Sequence, residues 1–264
     1  MSIMNNKIKE VLKLACLEAG KVISKNYGTR KSVKSKGDND WVTKQDILVE
    51  KLIIKIIKKS FPDSSFIGEE TGASRKKMDM TWIIDPIDGT NNYIHDYPFF
   101  CTSIGVMIKG KMMHGAIYDS LRDEFFYAQK NHGAFMNGKR IKVSEIKKLS
   151  DSLLCTGFIT SKVSYAKKNI SNFRRLVFKA RSIRRDGSAA LDLAYVACGR
   201  LDGFWELGLN SWDTSAGVLL VEEAGGKVIN SKGEKFNIIE NKSLISGNKY
   251  LVKKLLIEIK SNQV

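Results

Sequence analysis

The chain has 264 residues, 43% of them hydrophobic, with only 3 Pro and 21 Gly, which allows a sizeable buried core and excludes fibrous, collagen-like and disordered classes. Its 44 Lys and Arg against 28 Asp and Glu give a formal net charge of +16, which calls for an anionic partner or substrate. No apolar run approaches the ~20 residues that span a bilayer, and the stretch from Met1 to Leu14 alternates charged with aliphatic residues instead of forming a secretory core, so a cytoplasmic protein with no membrane association is expected.

In chain order, Ile8, Val11, Leu12, Ala15, Ala19, Val22 and Ile23 recur at helical spacing and predict a first helix ending near Gly28. A second helix follows Thr43, with Leu48, Leu52, Ile53, Ile56 and Ile57 on one face, and stops at Phe61-Pro62-Asp63. Short strands are expected at 65–67 and 81–84. From Thr102 to Val143, β-rich runs alternate with the turn signals Lys109-Gly110, Leu121-Arg122-Asp123, Asn131-His132-Gly133 and Asn137-Gly138, which predicts an antiparallel meander. Beyond residue 150 strands and helices alternate: strand 152–156, helix 165–179, strand 182–184, helix 188–198, strand 203–206, helix 213–224, strands 227–229 and 244–246, and helix 250–260. The first half is α+β and the second α/β, which suggests two tightly packed subdomains, 1–148 and 149–264.

Between Ser152 and Arg185 there is no acidic residue, while Lys162, Lys167, Lys168, Arg174, Arg175, Lys179, Arg181, Arg184 and Arg185 all occur there. A second basic group runs from Lys21 through Arg30, Lys31 and Lys34 to Lys36. Three readings stay open: a solvated surface, a field that steers phosphorylated small molecules, or nucleic-acid contact. Val163, Ile170, Phe173, Leu176, Val177 and Phe178 interrupt the charges as a packed helix requires, which favours the first two. Cys16, Cys101, Cys155 and Cys198 are scattered in apolar surroundings and are expected to be reduced and structural. His95, His114 and His132 have no zinc-site spacing, so any metal should be held by oxygen.

The densest chemical signal is Trp82-Ile83-Ile84-Asp85-Pro86-Ile87-Asp88-Gly89-Thr90. An apolar strand ends in Asp85, and Asp88 is expected in the turn that follows. Pro86 helps aim the Ile87 carbonyl at the same point. Two carboxylates and a carbonyl are hard donors that suit Mg²⁺, and the amides of Gly89 and Thr90 at a helix start suit a phosphate. The competing reading makes Asp88 a helix N-cap. Gly68-Glu69-Glu70 ends another apolar strand, though such a loop is also a common solvated turn. Asp213 precedes an apolar helix, where it could be only a capping anion. Thr43 and Asp46 fit a capping box, compatible with a supporting role near a metal. Gly105 to Lys111 and Gly133 to Lys139 both fit G-x-x-x-x-G-K, but Met112 and Arg140 replace the required Ser or Thr.

Gly68-Glu69-Glu70, Asp85-Pro86-Ile87-Asp88-Gly89-Thr90-Asn91-Asn92-Tyr93 and Trp212-Asp213-Thr214-Ser215-Ala216-Gly217 together resemble the signatures of the inositol monophosphatase family, the lithium-sensitive, Mg²⁺-dependent phosphomonoesterases. The run from Arg185 to Tyr195, with Gly203 to Glu206, is most similar to its bacterial and archaeal inositol-1-phosphatase branch. The resemblance implies a five-layered αβαβα sandwich of the sugar-phosphatase type, usually a homodimer. It implies two Mg²⁺, one held by Glu69, Asp85 and the Ile87 carbonyl and one by Asp85, Asp88 and Asp213, with Asp46 supporting a weaker third through water. Glu69 and Thr90, with Asp46, would be catalytic by positioning the attacking water. Lys36, Gly89 and Thr90 would serve the phosphate, and Asp88, Gly187, Ser188, Ala189, Glu206 and Asp213 the polyol. The implied reaction is hydrolysis of myo-inositol-1-phosphate, or a similar sugar or polyol phosphate, by direct attack of a metal-activated water. Asp186 departs from the uncharged residue many relatives carry before that glycine. Related branches that act on fructose 1,6-bisphosphate or 3′-phosphoadenosine 5′-phosphate share the metal motif. The rival from another class is an RNA- or transcription-complex-binding protein that uses the basic stretch.

Overall fold

The computed structural model describes residues 2–37, 40–74, 78–240 and 242–260. The first helix, α1 (Ser2–Asn26), leads into a hairpin of β1 (Val33–Gly37) and β2 (Asp40–Thr43), and then into α2 (Lys44–Ser60). The sequence does not predict this hairpin, because its short strands carry no alternating apolar pattern. Ile8, Leu12, Ala15, Ala19 and Ile23 of α1 are buried at the expected helical spacing, whereas α2 buries Val49 with Ile53 and Ile57, leaving Leu48 of the expected face exposed and Leu52 and Ile56 partly buried.

An eight-stranded sheet follows, built from β3 (Ser65–Gly68), β4 (Gly72–Ala73), β5 (Met80–Asp88), β6 (Cys101–Ile108), β7 (Lys111–Asp119), β8 (Glu124–Gln129), β9 (Gly133–Met136) and β10 (Lys139–Arg140), with the short helix α3 (Thr90–Ile94) between β5 and β6. Its order is β10-β9-β8-β7-β6-β5-β3-β4, and among the described residues β3–β5 is the one parallel pairing within it. The expected meander is present with its turns. Asn137 and Gly138 have φ of 48° and 79°, the left-handed pair that a two-residue hairpin requires. Both G-x-x-x-x-G-K segments fall in hairpins of this sheet.

The second sheet contains β11 (Leu153–Thr156), β12 (Ser182–Arg184), β13 (Gly203–Leu207), β14 (Lys227–Ile229) and β15 (Ser243–Gly247), in the order β12-β11-β13-β15-β14. It is mixed, since β11 pairs in parallel with β12 and β13 while β15 runs antiparallel to β13 and β14. Between its strands lie α4 (Val163–Leu176), α5 (Ala189–Ala197), α6 (Ser211–Glu223) and finally α7 (Lys249–Lys260).

These elements stack in five layers. The helices α1 and α2 cover one face of the large sheet, α5 and α6 fill the space between the two sheets, and α4 and α7 close the far face of the small one. The middle layer is packed tightly enough that a Cβ on Gly115 of β7 would lie 2.9 Å from the Ala216 Cα of α6, so this position demands glycine. That closeness brings the start of α6 to the end of β5. No helix among the described residues is long and apolar enough to cross a membrane. All four cysteines are free thiols.

Two expectations are corrected. The strand β5 does not stop at Ile84 but continues to Asp88 through a register shift against β6 between Asp85 and Asp88, so Asp88 lies in the strand and not in a turn. In α4, Val163 and Ile170 are exposed, as are Val177 and Phe178 just beyond it, and Phe178 is 89% exposed. The buried face of α4 uses Asn169 and Asn172 besides Ala166 and Leu176. Asn169 accepts from Trp205 Nε1 at 2.8 Å and donates to the Gly157 carbonyl at 2.6 Å, so polar groups on and just after the inner strands β13 and β11 decide which face turns inward.

Candidate active site

Trp82, Ile83 and Ile84 are fully buried and anchor β5 between helical layers. Where its register slips, Pro86 has no N–H to donate and its carbonyl accepts from Thr102 Oγ1 at 2.9 Å. The slip turns Asp85 and Asp88 towards the middle layer. Asp88 Oδ2 accepts from Ser188 Oγ at 2.7 Å and from the Ala190 amide at 2.6 Å, so its charge meets the N-terminus of α5. It does not cap α3, whose N-cap is Gly89 with φ of 98°. Gly89 is also pressed against the other half of the chain, since a Cβ there would lie 3.3 Å from the Gly187 carbonyl.

From α6, Asp213 both caps its own helix and joins the acidic cluster. Its Oδ2 accepts from the Asn210 amide at 2.6 Å in a capping box, and its carboxylate belongs to a cluster with Asp85 and Asp88 in which one oxygen of each lies within 4.8 Å of the others. Glu69 stands beside Asp85, close enough to raise its pKa both by charge and by a hydrogen bond.

This cluster fits a divalent cation. Asp85 is 2% exposed and its Oδ1 has no hydrogen-bond partner, a costly state for a carboxylate unless a cation meets it. Desolvation, and then the charges of Glu69, Asp88 and Asp213, hold the Asp85 carboxyl well above the usual carboxylate range. Desolvation likewise pushes Asp88 to about 6 and, with Asp88 beside it, Asp213 to about 7. The donors are all oxygen, as a hard cation prefers.

Thr90 Oγ1 lies 3.1 Å from Asp46 Oδ1 and 3.0 Å from the Ile87 carbonyl, within donating distance of either. Asp46 is fully buried, and its Oδ2 accepts from the Thr43 amide at 2.8 Å and from the Thr43 hydroxyl in the expected capping box. Across the cleft Glu206 is 5% exposed, and desolvation followed by the charges of Asp213 and Asp88 raises it to about 8.

The cleft, of about 250 Å³, is lined by Glu69, Asp85, Ile87, Asp88, Gly89, Thr90, Gly187, Ser188, Ala189, Glu206 and Asp213, which brings the candidates together from both halves of the chain. Asp46 sits behind Thr90, and the Lys36 side chain lies outside the described residues. The Ser188 hydroxyl is spent on Asp88. Arg185, the first residue of the run that resembles the bacterial and archaeal branch, also lines the cleft, as do Trp41, Lys162 and Asn210, which no motif singles out. Lys162 Nζ donates to Asn210 Oδ1 at 3.1 Å and also reaches the Gly208 carbonyl, which ties the start of α4 to the start of α6. Its place in the acid-free run is the one signal the sequence offers for it. Glu50 carries no such signal: it is fully buried and its carboxylate accepts the Glu70 and Thr71 amides, both at 2.9 Å.

The family model described as the inositol monophosphatase family matches residues 4–263. The chain belongs to the inositol monophosphatase family. It is 43% identical over 249 residues to the Nus factor SuhB of Escherichia coli strain K12, covering 93% of each chain. Among solved structures, the inositol monophosphatase from Anabaena (Nostoc) sp. PCC 7120 superposes with a TM-score of 0.88 at 38% identity, over 97% of this chain and 96% of that one. The extragenic suppressor protein suhB from Bartonella henselae superposes with a TM-score of 0.91 at 37% identity, over 98% and 99%. Family membership agrees with the layered fold and with the acidic cluster in the cleft.

Proposed function

We propose that the chain is a Mg²⁺-dependent phosphomonoesterase that hydrolyses myo-inositol-1-phosphate or a similar sugar or polyol phosphate. The observation that carries this reading is the convergence of Glu69, Asp85, Asp88 and Asp213, with an unpartnered buried oxygen on Asp85, on a cleft that the Gly89 and Thr90 backbone also lines. Glu69, Asp85 and the Ile87 carbonyl would hold one Mg²⁺, and Asp85, Asp88 and Asp213 a second. When bound, Mg²⁺ supplies positive charge to the phosphoryl oxygens and to the attacking and leaving oxygens.

The chain's own residues do the rest. Asp46 fixes the Thr90 hydroxyl, leaving an oxygen lone pair of Thr90 to orient a water that Glu69 also contacts. A water held by Glu69 and Thr90 would attack the phosphorus in line and pass its proton to the Glu69 carboxylate, while the P–O ester bond breaks and the departing alkoxide takes a proton from a solvent water, giving the free alcohol and inorganic phosphate. Asp46 is better placed for this than for a third cation, because both of its oxygens already accept hydrogen bonds. Glu206, which lines the cleft with Asp213 and Asp88, would join them as a partner for polyol hydroxyls. Arg185, also in the lining, lends a positive charge to an anionic ligand. The test is phosphate release with Mg²⁺ from inositol-1-phosphate, fructose 1,6-bisphosphate and 3′-phosphoadenosine 5′-phosphate. Turnover of none of the three would overturn the reading.

A second function, contact with RNA or a transcription complex, has a specific observation in its favour. The exposed apolar residues Val163, Ile170 and Phe178 stand among Lys167, Lys168 and Arg174 on the outer layer, a mixture that a merely solvated face does not need. The relatives named Nus factor SuhB support it.

A further inference from the structure

A second group of metal-ligating side chains lies beside the cleft and has no part in the chemistry above. Cys155 at the end of β11, Asp186 in the loop after β12 and Asp192 of α5 each present one donor atom within 4.8 Å of the other two. Cys155 is fully buried, Asp192 is 1% exposed and Asp186 is half-buried. Two acids and a thiol packed together are a poor arrangement for a dry site with no cation among them. Arg184 and Arg185 act on Asp186, but the other charges felt by Asp192 come from acids, Asp186 first and then Glu206 and Asp88.

One further observation points to a ligand. Asp192 Oδ1 is buried with no hydrogen-bond partner. The Cys155 thiol donates to Asp186 Oδ2 at 3.7 Å, and an ion that replaced this proton would need little movement, since a sulfur ligand at ~2.3 Å and an oxygen ligand at ~2.0 Å on one tetrahedral ion lie about 3.5 Å apart. A thiolate with two carboxylates selects a borderline-soft ion over Mg²⁺. Asp192 also lines the cleft, which provides an entry path and a side from which water completes the coordination.

We propose that Cys155, Asp186 and Asp192 form a second cation site, separate from the Asp85 cluster, which takes one divalent ion of the Zn²⁺ or Co²⁺ class and releases the Cys155 proton to solvent on binding. Asp186, the residue that departs from the pattern of the family, supplies one of its ligands. The site is independent of whether the cleft hydrolyses inositol phosphate.

The experiment is a Co²⁺ titration of the full, chelator-stripped protein, read by near-ultraviolet thiolate-to-cobalt charge-transfer absorption. Wild type should show the band, saturating at one equivalent, with excess Mg²⁺ failing to remove it. Cys155→Ser and Asp192→Asn should lose the band. Cys101→Ser should keep it, which matters because Cys101 Sγ lies 4.0 Å from Asp88 Oδ2 and is the other thiol near a carboxylate cluster. Asp85→Asn should also keep it, since that change empties the catalytic cluster alone. Absence of the band in wild type overturns the proposal, as does its survival in Cys155→Ser. If Cys155→Ser fails to fold, the half-exposed Asp186→Asn replaces it, and an undiminished band there is equally fatal.

Discussion

The carboxylate of Glu50 occupies the space that a side chain on Gly68 would need: a Cβ there would lie 2.4 Å from Glu50 Oε1. Glu50 in turn holds the Glu70 and Thr71 amides, so the turn carrying Glu69 is fixed from behind by a residue that does not line the cleft. Gly68→Ala should displace Glu50 and shift Glu69 by a fraction of an ångström to an ångström, which is expected to cost about 10²-fold in kcat. Glu50→Gln should act in the same direction and raise the Mg²⁺ concentration needed for half-maximal rate, because one amide loses its acceptor. A normal Mg²⁺ dependence in both variants would show that the turn is held by other means.

Asp85→Asn should lower turnover by at least ~10³-fold, since this residue is placed to meet both cations. The same variant should raise the melting temperature of the metal-free protein near neutral pH, because burial and then Glu69, Asp88 and Asp213 force the native Asp85 carboxyl to take up a proton that the unfolded chain does not hold, a cost that Asn does not carry. Loss of activity together with loss of stability would mean that Asp85 is structural. Full wild-type activity in EDTA would refute the metal-dependent reading itself.

The order of helices and strands was legible because hydrophobic spacing, not fine detail, determines it, whereas the five-layered stacking was implied by the family resemblance. The helical period of Ile8 to Ile23 and the turn pairs at Lys109-Gly110 and Asn137-Gly138 each have one physical solution, and the structure has them where expected. The carboxylates were legible because acids at the end of an apolar strand have little reason to be there except chemistry. What sequence could not supply was partnership across the chain. Nothing near Asp88 announces Ser188 and Ala190 one hundred residues on, and nothing near Gly68 announces Glu50. The outward apolar residues of α4 misled for a related reason, since their burial depends on which polar groups of β11 and β13 need partners.

Stability should respond to pH in two opposite ways. Burial, and then nearby His132, lowers His114 from its ordinary 6.5 to about 4, so it stays neutral in the native state while the unfolded chain takes up a proton. Stability is therefore lost as pH falls from 6.5 towards 4, by about 1.4 kcal/mol per unit at most. Asp88, Asp213 and Glu206, raised to about 6, 7 and 8, hold protons in the native state longer than in the unfolded one. Their contribution is present at low pH and is lost as pH rises from the ordinary carboxylate range, about 4, through those values. Over pH 4 to 6 the three carboxylates outweigh the one histidine, so the metal-free protein should melt highest near pH 4 and lose stability as pH rises to 8, and Mg²⁺ should add more to the melting temperature at pH 8 than at pH 6. An increment that is equal at both, or larger at pH 6, contradicts this.

The +16 charge can be assigned a purpose with one variant. Lys167, Lys168 and Arg174 are exposed and Arg175 is partly so, all on α4, whose start at Lys162 lines the cleft. If their field steers phosphorylated substrate, neutralising the four should lower kcat/KM at low salt while leaving kcat intact, and the difference should shrink once salt reduces the screening length to about 10 Å or less. If the face binds RNA, the kinetics should stay those of wild type while affinity for a generic RNA falls, and the slope of log affinity against log salt should become shallower by about one for each phosphate that the variant leaves unneutralised. Substituting Phe178 alone separates the cases further. At 89% exposure it is expected to be neutral for steering, which depends on charge, but to weaken a macromolecular interface, which depends on buried apolar area. The exposed Val163, Ile170 and Phe178 tip the expectation towards the macromolecular outcome. Unchanged kinetics and unchanged RNA affinity in both variants would leave α4 as a solvated face.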